Sequence, residues 1–330
     1  GVKGEIVLVT PVRPDEAAPE AAFAAASARL AAVSGALRAP APRPGPQAQP
    51  ARVEFRSGTA RERFIEMVRQ ARTYIAAGDI FQVVLSHRFS APLPHGSLAF
   101  YRALRRLNPS PFLFHFDLGG FQLAGSSPEI LVRLRDGRVT IRPLAGTRPR
   151  GATPAEDLQR ERDLLADPKE RAEHLMLLDL GRNDAGRLSR PGTVRVTESF
   201  VVERYSHVMH IVSNVEGEAP PDLDPVEVIM AALPAGTLSG APKIRAMEII
   251  HELEAEKRGL VYAGAAGYIS CEGQVDVCIL LRTALIKDGV MHVQAGAGVV
   301  ADSDPDAEYA ETLAKSEALR RAAEEAWRFA

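Results

Sequence analysis

Apolar positions alternate between two periods along this chain. Between Thr59 and Gly78 they recur at Phe64, Val68, Ala71 and Ile75, one face of a helix with Thr59 as N-cap and Gly78 as stop. "IFQVVLSHRFS" (80–90) is rich in β-branched and aromatic residues and predicts a strand. A helix is expected near 97–107, then strands near 112–118, 121–125, 130–134 and 138–143, the last two joined by a "DGR" turn. Helices near 154–165 and 168–180 precede two strands in "GTVRVTESFVVERY" and "HIVSNVEGE". Helices near 224–232 and 241–256 follow, then strands near 263–270, 275–286 and 290–299, with "KDG" as the last turn. A long helix from about Pro305 closes the chain. Strands come in contiguous, hairpin-linked runs rather than alternating singly with helices. That pattern predicts an α+β fold with antiparallel-rich sheets, not a doubly wound parallel one.

The first fifty residues differ. Residues 4–9 read as a short strand, and alanine dominates from Asp15 to about Arg38, favouring helix. "APAPRPGPQAQPAR" (39–52) then breaks the pattern: proline at 40, 42, 44, 46 and 50 suits neither a helix interior nor a central strand. The expected division is an N-terminal remnant, 1–52, and a catalytic domain, 53–330. The start lacks an initiator Met and a signal-peptide layout, and reads as a processed or cut fragment.

With 330 residues, 46% of them hydrophobic, the chain can bury a large core. A net charge of -2 gives no electrostatic reason to expect nucleic acid or a membrane surface. No apolar run is long enough to cross a bilayer. Two cysteines, Cys271 and Cys278, make no disulfide framework. They fit a cytosolic, reducing setting as buried small sheet residues.

Chemistry is suggested by paired carboxylates. "AEYAETLAKSEAL" (307–319) carries Glu308 and Glu311, and "DPKERAEHLMLLDLGRND" (167–184) carries Glu170 and Glu173. Each pair shares a helix face. One pair alone would be a solvated surface; two facing pairs would converge four carboxylates, which a hard cation such as Mg²⁺ neutralises. His174 points off the Glu173 face and reads as structural. Arg282, among apolar residues of both parities in "ILLRTALI", is expected to meet a buried carboxylate. Gly296 and Gly298 in "QAGAGVVADS" would let backbone N–H groups approach an anion. The G-x-G-x-x-A spelling there lacks the βαβ context of a dinucleotide site. "GTLSGAPK" (236–243) is a second glycine-bearing turn, offering the Thr237 hydroxyl and helix-opening amides. Lys243 within it reads equally as a helix-start surface charge or a ligand.

These stretches resemble the large subunit (component I) of anthranilate synthases, chorismate-utilising enzymes. The match runs through "GDIFQVVLS" (78–86), "GSSPEILVR" (125–133), "RPLAGTRPRG" (142–151), "KERAEHLMLLDLGRND" (169–184), "SHVMHIVSNVEG" (206–217), "LPAGTLSGAPKIRAMEII" (233–250), "VYAGAAGYIS" (261–270), "CILLRTA" (278–284), "HVQAGAGVVADS" (292–303) and "EYAETLAKSEAL" (308–319), in family order. The resemblance implies a two-layer sheet sandwich with a site in the cleft. It implies Mg²⁺ on Glu170, Glu173, Glu308 and Glu311. Glu129 would be the general acid, His210 a participant in pyruvate elimination, and Thr237 a catalytic hydroxyl. Thr147, Tyr262, Arg282, Gly296, Gly298 and Lys315 would hold the substrate. Gln82 stands where water-adding relatives carry a lysine base, and Ala145 where many aminodeoxychorismate synthases carry a lysine. Thr237 also follows the anthranilate branch. The implied reaction is amination of chorismate with ammonia from a separate glutamine amidotransferase subunit, then loss of pyruvate to give anthranilate, the first step toward tryptophan. The alternatives are aminodeoxychorismate synthase component I and a non-catalytic chorismate-binding fragment. Asn108, Pro109 and Ser110 in "NPSPF" match part of a tryptophan feedback site whose other part lies in an N-terminal segment of the family.

Overall fold

The computed structural model describes residues 5–12, 18–40, 49–205, 208–259 and 261–330. The chain divides into two compact units, residues 1–46 and 47–330. In the first, α1 (Pro19–Arg38) realises the alanine-rich helix. Arg29 on it donates to Thr10 Oγ1 at 3.0 Å and to the Pro11 carbonyl at 2.9 Å. The strand expected at 4–9 does not form: residues 5–12 carry no regular structure, and Ile6, Val7 and Val9 are exposed. No neighbouring strand takes up their backbone groups among the described residues. Of the proline-rich loop, residues 41–48 lie outside the described residues, and Pro40 and Pro50 are in irregular chain.

The second unit runs β1 (Arg56–Ser57), α2 (Arg61–Ala77), β2 (Gln82–Pro92), α3 (Ser97–Leu107), β3 (Phe112–Asp117), β4 (Gln122–Ser127), β5 (Ile130–Arg135), β6 (Arg138–Ile141) and β7 (Leu144–Pro149). It continues with α4 (Pro154–Ala166), α5 (Pro168–Gly186), β8 (Arg195–Arg204), β9 (Val208–Glu218), α6 (Pro225–Ala232), β10 (Gly240–Ala241), α7 (Lys243–Leu253), β11 (Ala265–Ile269), β12 (Val275–Ile279), β13 (Thr283–Lys287), β14 (Val290–Val299) and α8 (Pro305–Glu325). The Asp-Gly turns at 136–137 and 288–289 have positive φ at both residues, as tight hairpins require. Gly78 ends α2 in the left-handed conformation. Thr59 is not its cap: Ala60 occupies that position, and Thr59 is tied instead through its backbone to the Ser57 hydroxyl.

All described strand pairs are antiparallel and build two seven-stranded sheets. The first has the order β1-β2-β14-β13-β4-β3, with β10 beside β2. The second has the order β11-β12-β5-β6-β9-β7, with β8 beside β9. The strand expected over 275–286 is therefore two strands in different sheets. The chain leaves the second sheet after Ile279 and enters the first at Thr283, turning at Arg282 with φ 47°. Helices cover one face of each sheet. Val83 and Leu85 of β2 pack with Phe64 and Ile249 of α2 and α7. Ala284 and Val293 pack with Phe100 and Leu319 of α3 and α8, and Val132 and Val277 with Leu178 and Val228 of α5 and α6. Side chains alternate across a strand, so Gln82 and Val84 point away from α2 and α7 into a cleft shared with the second sheet.

Candidate active site

Two capped helices deliver the carboxylates. Asp167 caps α5, accepting from the Lys169 and Glu170 amides at 2.9 and 3.2 Å. Asp304 caps α8, accepting from the Ala307 amide at 2.9 Å. Each cap starts its helix just before its carboxylate pair, so Glu170, Glu173, Glu308 and Glu311 all line one cavity of about 810 Å³. A narrower cavity of about 240 Å³ shares Glu173, His210, Arg282, Glu311 and Lys315 with it, and the two form one cleft.

The rim of the cleft is a partly neutralised acidic ring. Arg148 bonds Glu170 at 2.6 Å and Asp167 at 2.9 Å. Lys315 pairs with Glu311 at 2.6 Å and donates to the Gly296 carbonyl at 2.9 Å. Burial, followed by the charges of Glu170 and Glu311, holds the Glu173 carboxyl above the usual carboxylate range. Burial, partly offset by a Ser303 hydrogen bond, raises Glu308 too, with the charge of Glu311 adding to the rise. Among the described residues no three such donors close into a ready coordination sphere. The donor set is nonetheless all carboxylate oxygen with its charge incompletely balanced, and a hard divalent cation fits it.

The floor is sheet-borne and drier. Glu129, only 8% exposed, sits between β4 and β5 with its carbonyl accepting from Ile279 N–H at 3.0 Å. Thr237 donates to Glu129 Oε1 at 2.9 Å. Burial pushes the Glu129 carboxyl up to about 7, against the opposing pull of the Thr237 hydrogen bond and the Lys315 and Arg282 charges. Near neutrality it therefore still holds its proton in a large share of molecules, where an ordinary carboxyl would be ionised. Arg282 is expected to grip a carboxylate, and it sits beside the charge of Glu129. Among the described residues its guanidinium makes no ion pair, and it lines the cleft with burial depressing its charged form. A cationic fork left open in a cleft is a receptor for a carboxylate.

His210 on β9 faces Thr147 on β7. Its Nδ1 lies 3.0 Å from the Gly146 carbonyl and 3.1 Å from Thr147 Oγ1. A carbonyl only accepts, so Nδ1 carries the hydrogen and Nε2 is left as an acceptor. Burial lowers its pKa, which favours the neutral ring. Tyr262 is buried and its hydroxyl pushed up to about 12. Gly296 and Gly298 line the cleft, and each also leaves room for a neighbouring side chain. A Cβ at 296 would sit 2.6 Å from the Tyr262 hydroxyl, and one at 298 would sit 2.8 Å from Gln82 Nε2.

The catalytic, substrate and metal candidates thus line this cleft, Lys243 excepted, and Asn108, Pro109 and Ser110 open on its carboxylate-lined part. His174 is buried against Ser213 Oγ at 2.6 Å, a structural contact as expected. Cys271 corrects its reading: it is exposed in the turn after β11, while Cys278 is buried in β12. Arg148 is the site residue that sequence reasoning missed. Its strand, β7, was also unforeseen, because Gly146 and Pro149 interrupt a short apolar run.

An acid on a sheet floor, an open arginine and a carboxylate rim define an α+β enzyme-like site for a small anion. The chorismate binding enzyme family matches residues 8–321, and the chain belongs to that family. It is 56% identical to anthranilate synthase component 1 of Cereibacter sphaeroides, over all of this chain and 66% of that one. It is 54% identical to anthranilate synthase component 1 of Pseudomonas putida, over 96% of this chain and 64% of that one. The chain therefore spans just under two thirds of these relatives. Among solved structures, anthranilate synthase component I from Streptococcus pneumoniae TIGR4 superposes with a TM-score of 0.87 at 44% identity, covering 97% of this chain and 70% of that chain. The menaquinone-specific isochorismate synthase of Escherichia coli gives a TM-score of 0.74 at 27% identity, covering 90% and 68%. No described helix is long and apolar enough to cross a membrane.

Proposed function

We propose that this cleft aminates chorismate with ammonia and expels pyruvate, as the large subunit of an anthranilate synthase. The observation that carries the reading is the placement of a buried, proton-holding Glu129 with an open Arg282 and four rim carboxylates in one cleft. Arg282 grips one substrate carboxylate, and Lys315, at the rim, adds positive charge beside it. Glu129 gives its proton to the departing allylic hydroxyl, which leaves as water while ammonia bonds to the ring carbon beside the carboxylate-bearing one. Thr237 stabilises the Glu129 carboxylate so produced. His210 Nε2 takes the ring proton whose loss expels pyruvate and aromatises the ring. Glu170, Glu173, Glu308 and Glu311 would hold Mg²⁺, directly or through water, which when bound supplies charge neutralisation for the ring carboxylate.

Neutral Gln82 and Ala145 in the floor give water no base and offer no amine nucleophile, which favours free ammonia. Cys278, buried with its thiol pushed up to about 11, is no glutaminase nucleophile. The ammonia is assigned to a separate amidotransferase subunit, in keeping with the "component 1" naming of the relatives. The reaction setting is cytosolic.

The test is the purified chain with chorismate, Mg²⁺ and ammonium at alkaline pH, read by anthranilate fluorescence and pyruvate release. Both signals are expected, and both should vanish on chelation. Chorismate loss without pyruvate would assign the aminodeoxychorismate reaction instead. No consumption by folded protein would contradict an active site complete in this chain.

A further inference from the structure

At the end of α5 opposite its carboxylate pair, Asp184 is buried. A buried carboxylate needs partners, and it has two. One oxygen takes the ammonium of Lys243, whose side chain is 14% exposed. The other accepts the Gly236 amide at 3.1 Å. Lys243 is thus neither a surface charge nor a ligand, and neither it nor Asp184 lines the cleft.

These contacts bracket the stretch 236–243. It opens with a single 3₁₀ turn, Gly236–Leu238. The turn's own hydrogen bonds, Leu238 N–H to Ala235 O at 3.1 Å and Ser239 Oγ to Ala235 O at 3.0 Å, fix its shape. Its placement comes from outside. Asp184 holds its first residue, and Arg258 donates to the Leu238 carbonyl at 2.7 Å. Gly236 lets the turn lie against α5: a Cβ there would sit 3.1 Å from Leu180 Cβ and 3.2 Å from Asp184 Oδ2. Thr237, between the two anchors, reaches Glu129.

We infer that the buried Asp184–Lys243 pair is a positioning device for the acid, fixing the turn that aims the Thr237 hydroxyl at Glu129. It acts only through Thr237 and touches no substrate. The inference rests on the reading of Glu129 as the general acid. Arg282 faces Glu129 from the β12–β13 crossover, Lys315 from α8 and Tyr262 from the segment before β11. Asp184 bonds to none of these three, so its loss should reach Glu129 through the turn.

The test is the basic limb of the kcat/KM profile against pH, at fixed free ammonia and saturating Mg²⁺. Thr237→Val should move the limb upward by up to about one pH unit, because a hydrogen bond favouring the carboxylate is gone. Asp184→Asn, which loses the charge and must turn its amide NH₂ toward either Lys243 or the Gly236 N–H, both donors, should move it the same way. The double variant should move it no further than Thr237→Val alone. Lys243→Met, which leaves the Gly236 contact, should give a smaller shift of the same sign and serves if Asp184→Asn does not fold. A uniform loss of rate with an unmoved limb in both Asp184→Asn and Lys243→Met would overturn the inference, as would shifts that add to that of Thr237→Val. If Thr237→Val leaves the limb in place while binding persists, the acid reading itself falls, and the inference with it.

Discussion

The rim and the floor of the cleft solve opposite electrostatic problems. At the rim, carboxylates crowd on two helix ends and borrow cations: Arg148 for Glu170, Lys315 for Glu311, both pairs partly open to solvent. Such pairs are individually weak and exchangeable, which would suit the proposed role of these residues as ligands that give up their partners to an ion. On the floor, among the described residues Glu129 makes no ion pair, and burial raises its carboxyl to about 7 against the pull of Thr237, Lys315 and Arg282. One region is tuned by charge against charge, the other by dielectric. On the proposed function, the same residue type would serve as ligand in one place and as acid in the other.

The largest effect should come from the floor. Glu129→Gln should lower kcat about 10²- to 10⁴-fold, the usual span of a lost general acid, with chorismate still bound. The same variant has a stability signature. The folded pKa of Glu129 lies above its unfolded value, so its stabilising contribution is full below about pH 4.5 and lost as pH rises through about 7. Relative to wild type, Glu129→Gln should gain stability across that window, by an order of about 3 kcal/mol at most. A pH series of denaturation curves checks it, and parallel curves for the two proteins would place Glu129 in water.

Arg282→Lys comes next. Lysine keeps charge but not the two-pronged geometry, and the loss of a charge-assisted bond should raise KM about tenfold to a hundredfold with a smaller change in kcat. An unchanged KM would remove Arg282 from substrate binding. The smallest effect belongs to the rim. Arg148→Gln frees Glu170 and should tighten Mg²⁺ by less than about tenfold, because a pair partly open to solvent is worth little more than the roughly 1 kcal/mol of an exposed one. Weaker Mg²⁺ binding would mean that Arg148 orders the site instead of competing for it.

Much of this was legible in the chain. Helix periodicity placed α2, α5 and α8, and the i,i+3 glutamates announced the rim. The fold was misjudged where local pattern carries no tertiary signal. "VDVCILLRTALI" is apolar apart from Asp276, Arg282 and Thr283, and nothing in it marks the passage from one sheet to the other at Leu280–Arg282. That passage is what puts Arg282 in the cleft. Arg148 went unseen for the same reason: its value lies in its approach to Glu170, across a strand-to-helix contact that spacing does not encode. Lys243 reads equally as a surface charge or a ligand until it is seen against Asp184 of α5.

The central claim is that rim and floor act on one substrate. The most direct measurement is calorimetric titration of Mg²⁺ with and without saturating chorismate, for wild type and Glu173→Gln. If both ligands share the cleft, chorismate should tighten Mg²⁺ at least about fivefold, Mg²⁺ should tighten chorismate by the same factor, and Glu173→Gln should weaken Mg²⁺ in both states. An Mg²⁺ affinity indifferent to chorismate would contradict the account.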